Sequence, residues 1–120
     1  MNADPLRFTA DFVLAHGRDA LALGKPVIIE EYGFDAASSA PNMTRREFFA
    51  AVLAAVEQGV NRGGIAGDMF WLWYPAEIQR AVGSGDPNAI FTGDEVLDLA
   101  TQHAAKLHRM ALARQGTLCL

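Results

Sequence analysis

The run Val27-Ile28-Ile29, entered from Lys25-Pro26 and left through Glu30-Glu31-Tyr32-Gly33, sets the terms for everything around it. Three consecutive β-branched residues are too stiff, and the run too short, for a good helix. Their failure to alternate with polar residues marks a strand with apolar surroundings on both faces, the habit of parallel sheets. A second such run, Ile65-Ala66-Gly67-Asp68-Met69-Phe70-Trp71-Leu72-Trp73, lies downstream. The expected strands cover about 26–32 and 65–72. Between them Thr44-Arg45-Arg46-Glu47 has the form of a capping box, in which Thr and Glu reciprocally satisfy the first free amides of a helix. Phe49, Val52, Leu53, Val56 and Val60 then mark one helical face, and Gly63-Gly64 closes it. Strand, helix, strand is a βαβ unit, so the two strands should be parallel and adjacent.

Helices are expected on either side of this unit. Asp4-Pro5 suits a helix start, with Asp as the cap and Pro in the first turn. Phe8, Phe12, Val13, Leu14, Leu21 and Leu23 follow at helical intervals, and Gly24-Lys25-Pro26 ends the segment. Loops are expected over 35–43 and around Gly83-Ser84-Gly85-Asp86-Pro87-Asn88. A second capping box is read at Thr92-Gly93-Asp94-Glu95. The closing helix sets Val96, Leu99, Ala100, His103, Leu107 and Met110 on one face, with Lys106, His108, Arg109 and Arg114 toward its end, and fraying is expected after Gly116.

Two strands make a very small sheet. Three helices cover one face of it, and the apolar side chains of the other face need a further layer. The expectation is therefore the last part of a larger parallel α/β protein, either a doubly wound sheet or a (β/α)8 barrel. A compact miniature or a dimer is the alternative.

Composition removes several functions. Apolar residues are 51% and charged residues 20% of 120, an ordinary globular balance. A net charge of −4 without a basic cluster argues against nucleic-acid binding. The apolar runs are too short to cross a bilayer, and the first residues lack the form of a signal peptide. The single cysteine, Cys119, has no partner for an internal disulfide. His16, His103 and His108 do not have ligand spacing, and no metal site is expected. Arg45-Arg46 reads as a solvated helix start. Gly83-Ser84-Gly85 is not a phosphate loop, and no Ser or Cys has nucleophile-elbow surroundings.

The residues with chemistry lie at the strand ends, where parallel α/β folds place their sites. Alternation puts Glu31 on the face of Val27 and Ile29 and Glu30 on the other, so the two are not an acid/base pair. Trp71 and Trp73 are expected on one face at the matching end of the second strand, where a flat indole suits the C–H face of a sugar. The plainer readings are strand-end glutamates paired with arginines, and tryptophans packed as core.

Gly24-Lys25-Pro26-Val27-Ile28-Ile29-Glu30-Glu31-Tyr32-Gly33 strongly resembles glycoside hydrolase family 5, in particular its endo-β-1,4-mannanases. In that family a strand of this form carries the catalytic nucleophile just before an aromatic-Gly pair, and the resemblance implies Glu31 here. Ala66-Gly67-Asp68-Met69-Phe70-Trp71 looks like the family's final strand, which implies a sugar subsite lined by Trp71 and, more weakly, Trp73. Thr101-Gln102-His103-Ala104-Ala105 fits its closing helix. The resemblance spans nearly the whole chain but only the C-terminal part of a (β/α)8 barrel. It implies retaining hydrolysis of mannan or a related β-1,4-glycan without a cofactor, and secretion. The family's acid/base glutamate lies in an Asn-Glu motif on the fourth strand, and no Asn-Glu pair occurs in these 120 residues. The chain alone is therefore expected to be inactive. A non-catalytic carbohydrate-binding or assembly module, a family 5 β-1,4-glucanase and an enzyme of another barrel family are the alternatives.

Overall fold

A computed structural model describes residues 4–35, 43–78 and 85–117. The loop residues 36–42, the first part of the Gly83-Ser84 loop and Cys119 lie outside these. Helix α1 (Pro5–Leu23) begins as its sequence dictates. The Asp4 carboxylate accepts the amide of Leu6, proline occupies the first turn, and Gly24 closes the helix with φ 65°. Strand β1 (Val27–Tyr32) follows, then α2 (Arg45–Arg62), where the full capping box of Thr44 and Glu47 is present and Gly63 forms a left-handed cap. Strand β2 (Ile65–Phe70) lies parallel to β1, with Val27 opposite Ile65 and Glu30 opposite Met69. The βαβ unit is as expected. Strand β2 stops three residues short of Trp73, and Trp71 lies in a bend. A second, two-residue parallel pairing joins β3 (Trp73–Tyr74) to β4 (Ile90–Phe91). Helix α3 (Glu95–Thr117) completes the order and continues through Gly116.

Two local expectations need correction. The cap of α3 is Asp94, whose carboxylate accepts the amide of Val96 at 2.9 Å, and Thr92 takes no part in it. Asp94 lies one position before the helix, where an Asx side chain reaches the free amides most directly. Arg45 is not a solvated residue. Its guanidinium is largely buried, donates to the carbonyls of Asn88 (2.9 Å) and Ala89 (2.7 Å), and lies 3.5 Å from Asp94. It ties the start of α2 to the segment leading into α3. Arg114 also acts across elements, donating to the carbonyls of Val60 and, at 3.0 Å, Asn61. It thus satisfies the C-terminal end of α2, where cations are favoured.

The core lies between the helices and one face of the β1–β2 sheet. Val13, Val52, Ala55, Val56, Val60 and Ile65 form its main cluster, and Phe49, Ile90 and Val96 a second one toward the strand ends. Full burial of each large side chain contributes about 1.5–3 kcal/mol. The face expected for α2 is the buried one. In α1 the periodicity misled: Phe8 and Leu23 are exposed, and the buried stripe is Val13, Gly17 and Ala20. Small residues win there because backbones meet closely. A Cβ on Gly64 would lie 2.0 Å from the Gly17 carbonyl oxygen, and one on Gly59 2.2 Å from Cδ1 of Ile65.

The other face of the sheet is open. Ile28 is 51% and Met69 53% exposed. The molecule measures 51 × 42 × 20 Å, the thickness of one helix layer on one sheet layer. Its accessible surface of 8002 Å² exceeds the roughly 6,300 Å² of a compact chain of this mass.

Candidate active site at the strand ends

Strand β1 ends irregularly. Glu30 pairs with Met69 and Tyr32 with Phe70, which leaves Glu31 as an extra residue in a bulge. Its φ is 59°, the left-handed region that a non-glycine residue seldom occupies. Bulges of this kind re-aim side chains and are frequent next to active sites. The alternation argument for Glu31 therefore fails. Val27 and Ile29 face the helices, so strict alternation would send Glu31 into the core behind them. The bulge gives that place to Tyr32, which packs against both core clusters, and leaves Glu31 exposed.

Trp71 sits beside this bulge. Its backbone amide donates to the Tyr32 carbonyl at 2.9 Å. Gly33 makes the approach possible, since a Cβ there would fall 2.9 Å from the Trp71 carbonyl oxygen and 3.1 Å from Cβ of Asn88. Trp71 is 45% exposed, and its indole N–H donates to Asp86 at 2.9 Å. Asp86 also accepts the Asn88 amide at 2.9 Å. These two bonds, that from Trp71 first, hold the Asp86 carboxyl below the usual carboxylate range. Trp73 is also half-exposed but belongs to the separate β3–β4 pairing. The two indoles are not on one face of one strand, as a straight reading of 65–73 required. The Trp71 backbone bonds the residue that follows Glu31 at the sheet's C-terminal end; Trp73 lies two residues beyond, past the bend.

Behind the bulge is a polar group that sequence reading passed over. His103 is 6% exposed. Its Nε2 lies 2.8 Å from Oδ1 of Asp68 and its Nδ1 3.0 Å from Oε1 of Glu57. The other Asp68 oxygen accepts the Tyr32 hydroxyl at 2.5 Å, and Lys106 pairs with Glu57. Burial, and then the bond to Asp68, push the Tyr32 phenol far above its ordinary range. For His103, burial favours the neutral ring, but Asp68 and Glu57 outweigh it and the pKa is raised. Burial likewise disfavours the Glu57 carboxylate, and Lys106 and His103 reverse this, so its pKa is lowered. The sequence carried one signal of the group: Asp68 is a carboxylate in the middle of an otherwise apolar strand.

Among the described residues, no group of three or more His, Cys, Asp or Glu side chains could hold a metal. No helix of the described residues is long and apolar enough to cross a membrane.

Comparison with known proteins places the fold. No family model matches the chain. It is 30% identical over 97 residues to the probable mannan endo-1,4-beta-mannosidase F of Emericella nidulans, a match that covers 80% of this chain and 20% of the relative. The glycoside hydrolase family 5 mannosidase of Rhizomucor miehei superposes with a TM-score of 0.67 at 19% identity, over 88% of this chain and 34% of that one. A mutant of the same mannosidase in complex with mannosyl-fructose matches with a TM-score of 0.67 over 88% and 33%. The chain thus spans one fifth of the curated relative and about a third of the solved structures. The resemblance to family 5 mannanases holds at both levels, and the fold is a partial α/β fold, the equivalent of about one third of a (β/α)8 barrel.

Proposed function

We propose that residues 1–120 form the C-terminal portion of a glycoside hydrolase family 5 catalytic barrel, and that Glu31 is the nucleophile of a retaining hydrolysis of β-1,4-mannosidic bonds in mannan. The observation that carries this reading is the joined strand ends: an exposed carboxylate on a bulge, followed by Tyr32, whose carbonyl accepts the backbone amide of the half-exposed Trp71. The relative's name, mannan endo-1,4-beta-mannosidase, supports the substrate class.

The chemistry follows from the groups present. Ionised Glu31 attacks the anomeric carbon and forms a glycosyl-enzyme ester, and water then breaks that ester. The Trp71 ring, steered by Asp86, is the floor of the subsite beside the cleaved bond, with Trp73 farther along the glycan. Protonation of the leaving oxygen needs a second carboxyl group about 5–5.5 Å from the first. Glu30 cannot serve, because it lies on the strand before the bulge and pairs with Met69. The acid/base residue comes from another part of the barrel, and the isolated chain turns over no mannan.

The test is complementation. The chain is co-expressed with the preceding strands and helices of mannosidase F, and mannan hydrolysis is followed by reducing-sugar release. We expect activity with net retention of anomeric configuration by proton NMR. Glu31→Gln should lower kcat on the order of 10⁴-fold, as loss of one member of a catalytic set does, while mannohexaose binding persists. Hydrolysis by Glu31→Gln at near the parental rate would reject the assignment. Mannan binding by the chain alone, as a cooperatively folded monomer, would instead favour a carbohydrate-binding module.

A further inference from the structure

The line of contacts from Tyr32 through Asp68 and His103 to Glu57 has no part in the chemistry above, yet it ends one residue from Glu31. Burying this many ionisable groups is expensive, several kcal/mol for each unpaired ion, and well-packed apolar residues would serve a core at least as well. What the line holds is specific. The Tyr32 ring packs on Phe49 with centroids 5.7 Å apart, its hydroxyl donates to Asp68, and its carbonyl accepts from Trp71. The residue just before it is the one with φ 59°. A left-handed conformation costs a non-glycine residue about 1–2 kcal/mol, and it persists only where the neighbours over-determine it.

We propose that this line locks Glu31 in its left-handed turn, with Tyr32 as the positioning residue and His103 as the link that senses pH. The proposal deepens the reading of Glu31 as nucleophile and rests on it. His103 is faced by Asp68 from β2 and by Glu57 from α2. Lys106 lies one turn along its own helix, Arg109 lines the same cavity, and Tyr32 of β1 reaches it through Asp68. A protonated imidazole donates to both carboxylates; a neutral one has a single N–H and an acceptor nitrogen that faces an oxygen. Loss of the proton therefore breaks one of the two links that His103 makes. Glu57 keeps Lys106 and Asp68 keeps Tyr32, so the loss loosens the coupling between the layers without dissolving either end.

The experiment is a pH titration of the full 120-residue chain by NMR, reading the His103 imidazole, the Glu31 amide and the Trp71 indole N–H. We expect the Glu31 signal to move with the midpoint of the His103 imidazole. In Tyr32→Phe, His103 should still titrate while the response at Glu31 falls at least five-fold, a separation that a merely structural role would not produce. Asp68→Asn should give the same separation, and the wild-type curve needs no variant to fold. A Glu31 signal that ignores His103 in the wild type, or follows it undiminished in Tyr32→Phe, overturns the proposal. Glu31→Gln in the complemented barrel fails separately: full activity there removes the nucleophile while the measured lock remains.

Discussion

Glu31 combines a reactive side chain with a backbone that its residue type resists. Its left-handed φ should make the position one where glycine is the more stable choice. We expect Glu31→Gly to raise stability by about 0.5–1 kcal/mol, the strain relieved less the entropy glycine loses on folding. Differential scanning calorimetry should show an upward shift of a few degrees, whereas an alanine should give none of it. This residue also shows where sequence reading stops. The choice of Glu31 over Glu30 came from its place before Tyr32-Gly33 and from alternation. The first argument stands as the basis of a proposal. The second broke down because a bulge depends on the partner strand, and nothing in Glu30-Glu31-Tyr32 announces it. His103 was legible only as a histidine on an apolar helix face, since its partners lie 46 and 35 residues away.

Among the elements, the ends of helices were the most readable parts. The Asp4 cap, the Thr44–Glu47 box and the Gly24 cap are local chemistry and appear as read. The faces were less so. In α2 large apolar residues are buried, but in α1 the large ones are exposed and Gly17 is buried, because α1, α2 and β2 meet where there is room only for backbone. Gly59 is the clearest test. A methyl group there would overlap Cδ1, Cγ1 and Cβ of Ile65 at 2.2, 2.7 and 3.2 Å. Overpacking of this kind costs about 1–3 kcal/mol, and urea denaturation of Gly59→Ala should show that loss. Helix propensity alone would predict a gain of up to ~1 kcal/mol for the same change, so the sign of the effect decides between them. The straight strand expected through Trp73 is not formed: Trp71 lies in a bend, and its partners Tyr32 and Asp86 are distant in sequence, so the apolar run alone does not announce it.

For the whole molecule, the ionised centre between the layers predicts how stability depends on pH. His103 binds its proton more tightly folded than unfolded. Its contribution is complete below the unfolded value of about 6.5 and is lost as pH rises through the higher folded value. Glu57 is the opposite case. Its contribution is complete above an unfolded value of about 4.3 and is lost as pH falls through the lower folded value. Melting temperature should therefore peak between these two unfolded values, and His103→Gln should flatten the alkaline side. The order of elements and the parallel pairing followed from the sequence because each strand is apolar on both sides. That same property foretold the open face, since Ile28 and Met69 have no use for water.

The two-stranded sheet inverts the usual ranking of protection in a folded α/β chain. Each of β1 and β2 is paired on one side only, and among the described residues no other strand lies against either outer edge. About half of their amides thus point away from any ladder acceptor, as strand geometry requires. In deuterium uptake followed by mass spectrometry, peptides from the middle of the sheet should fill early, like surface loops, while α2 keeps its protons longest. Covering those edges with further strands would restore the ordinary order, so the exchange rate of the Ile28 amide, which points opposite to the Val27 amide bonded to Gly64, is a direct gauge of whether further strands have closed against β1.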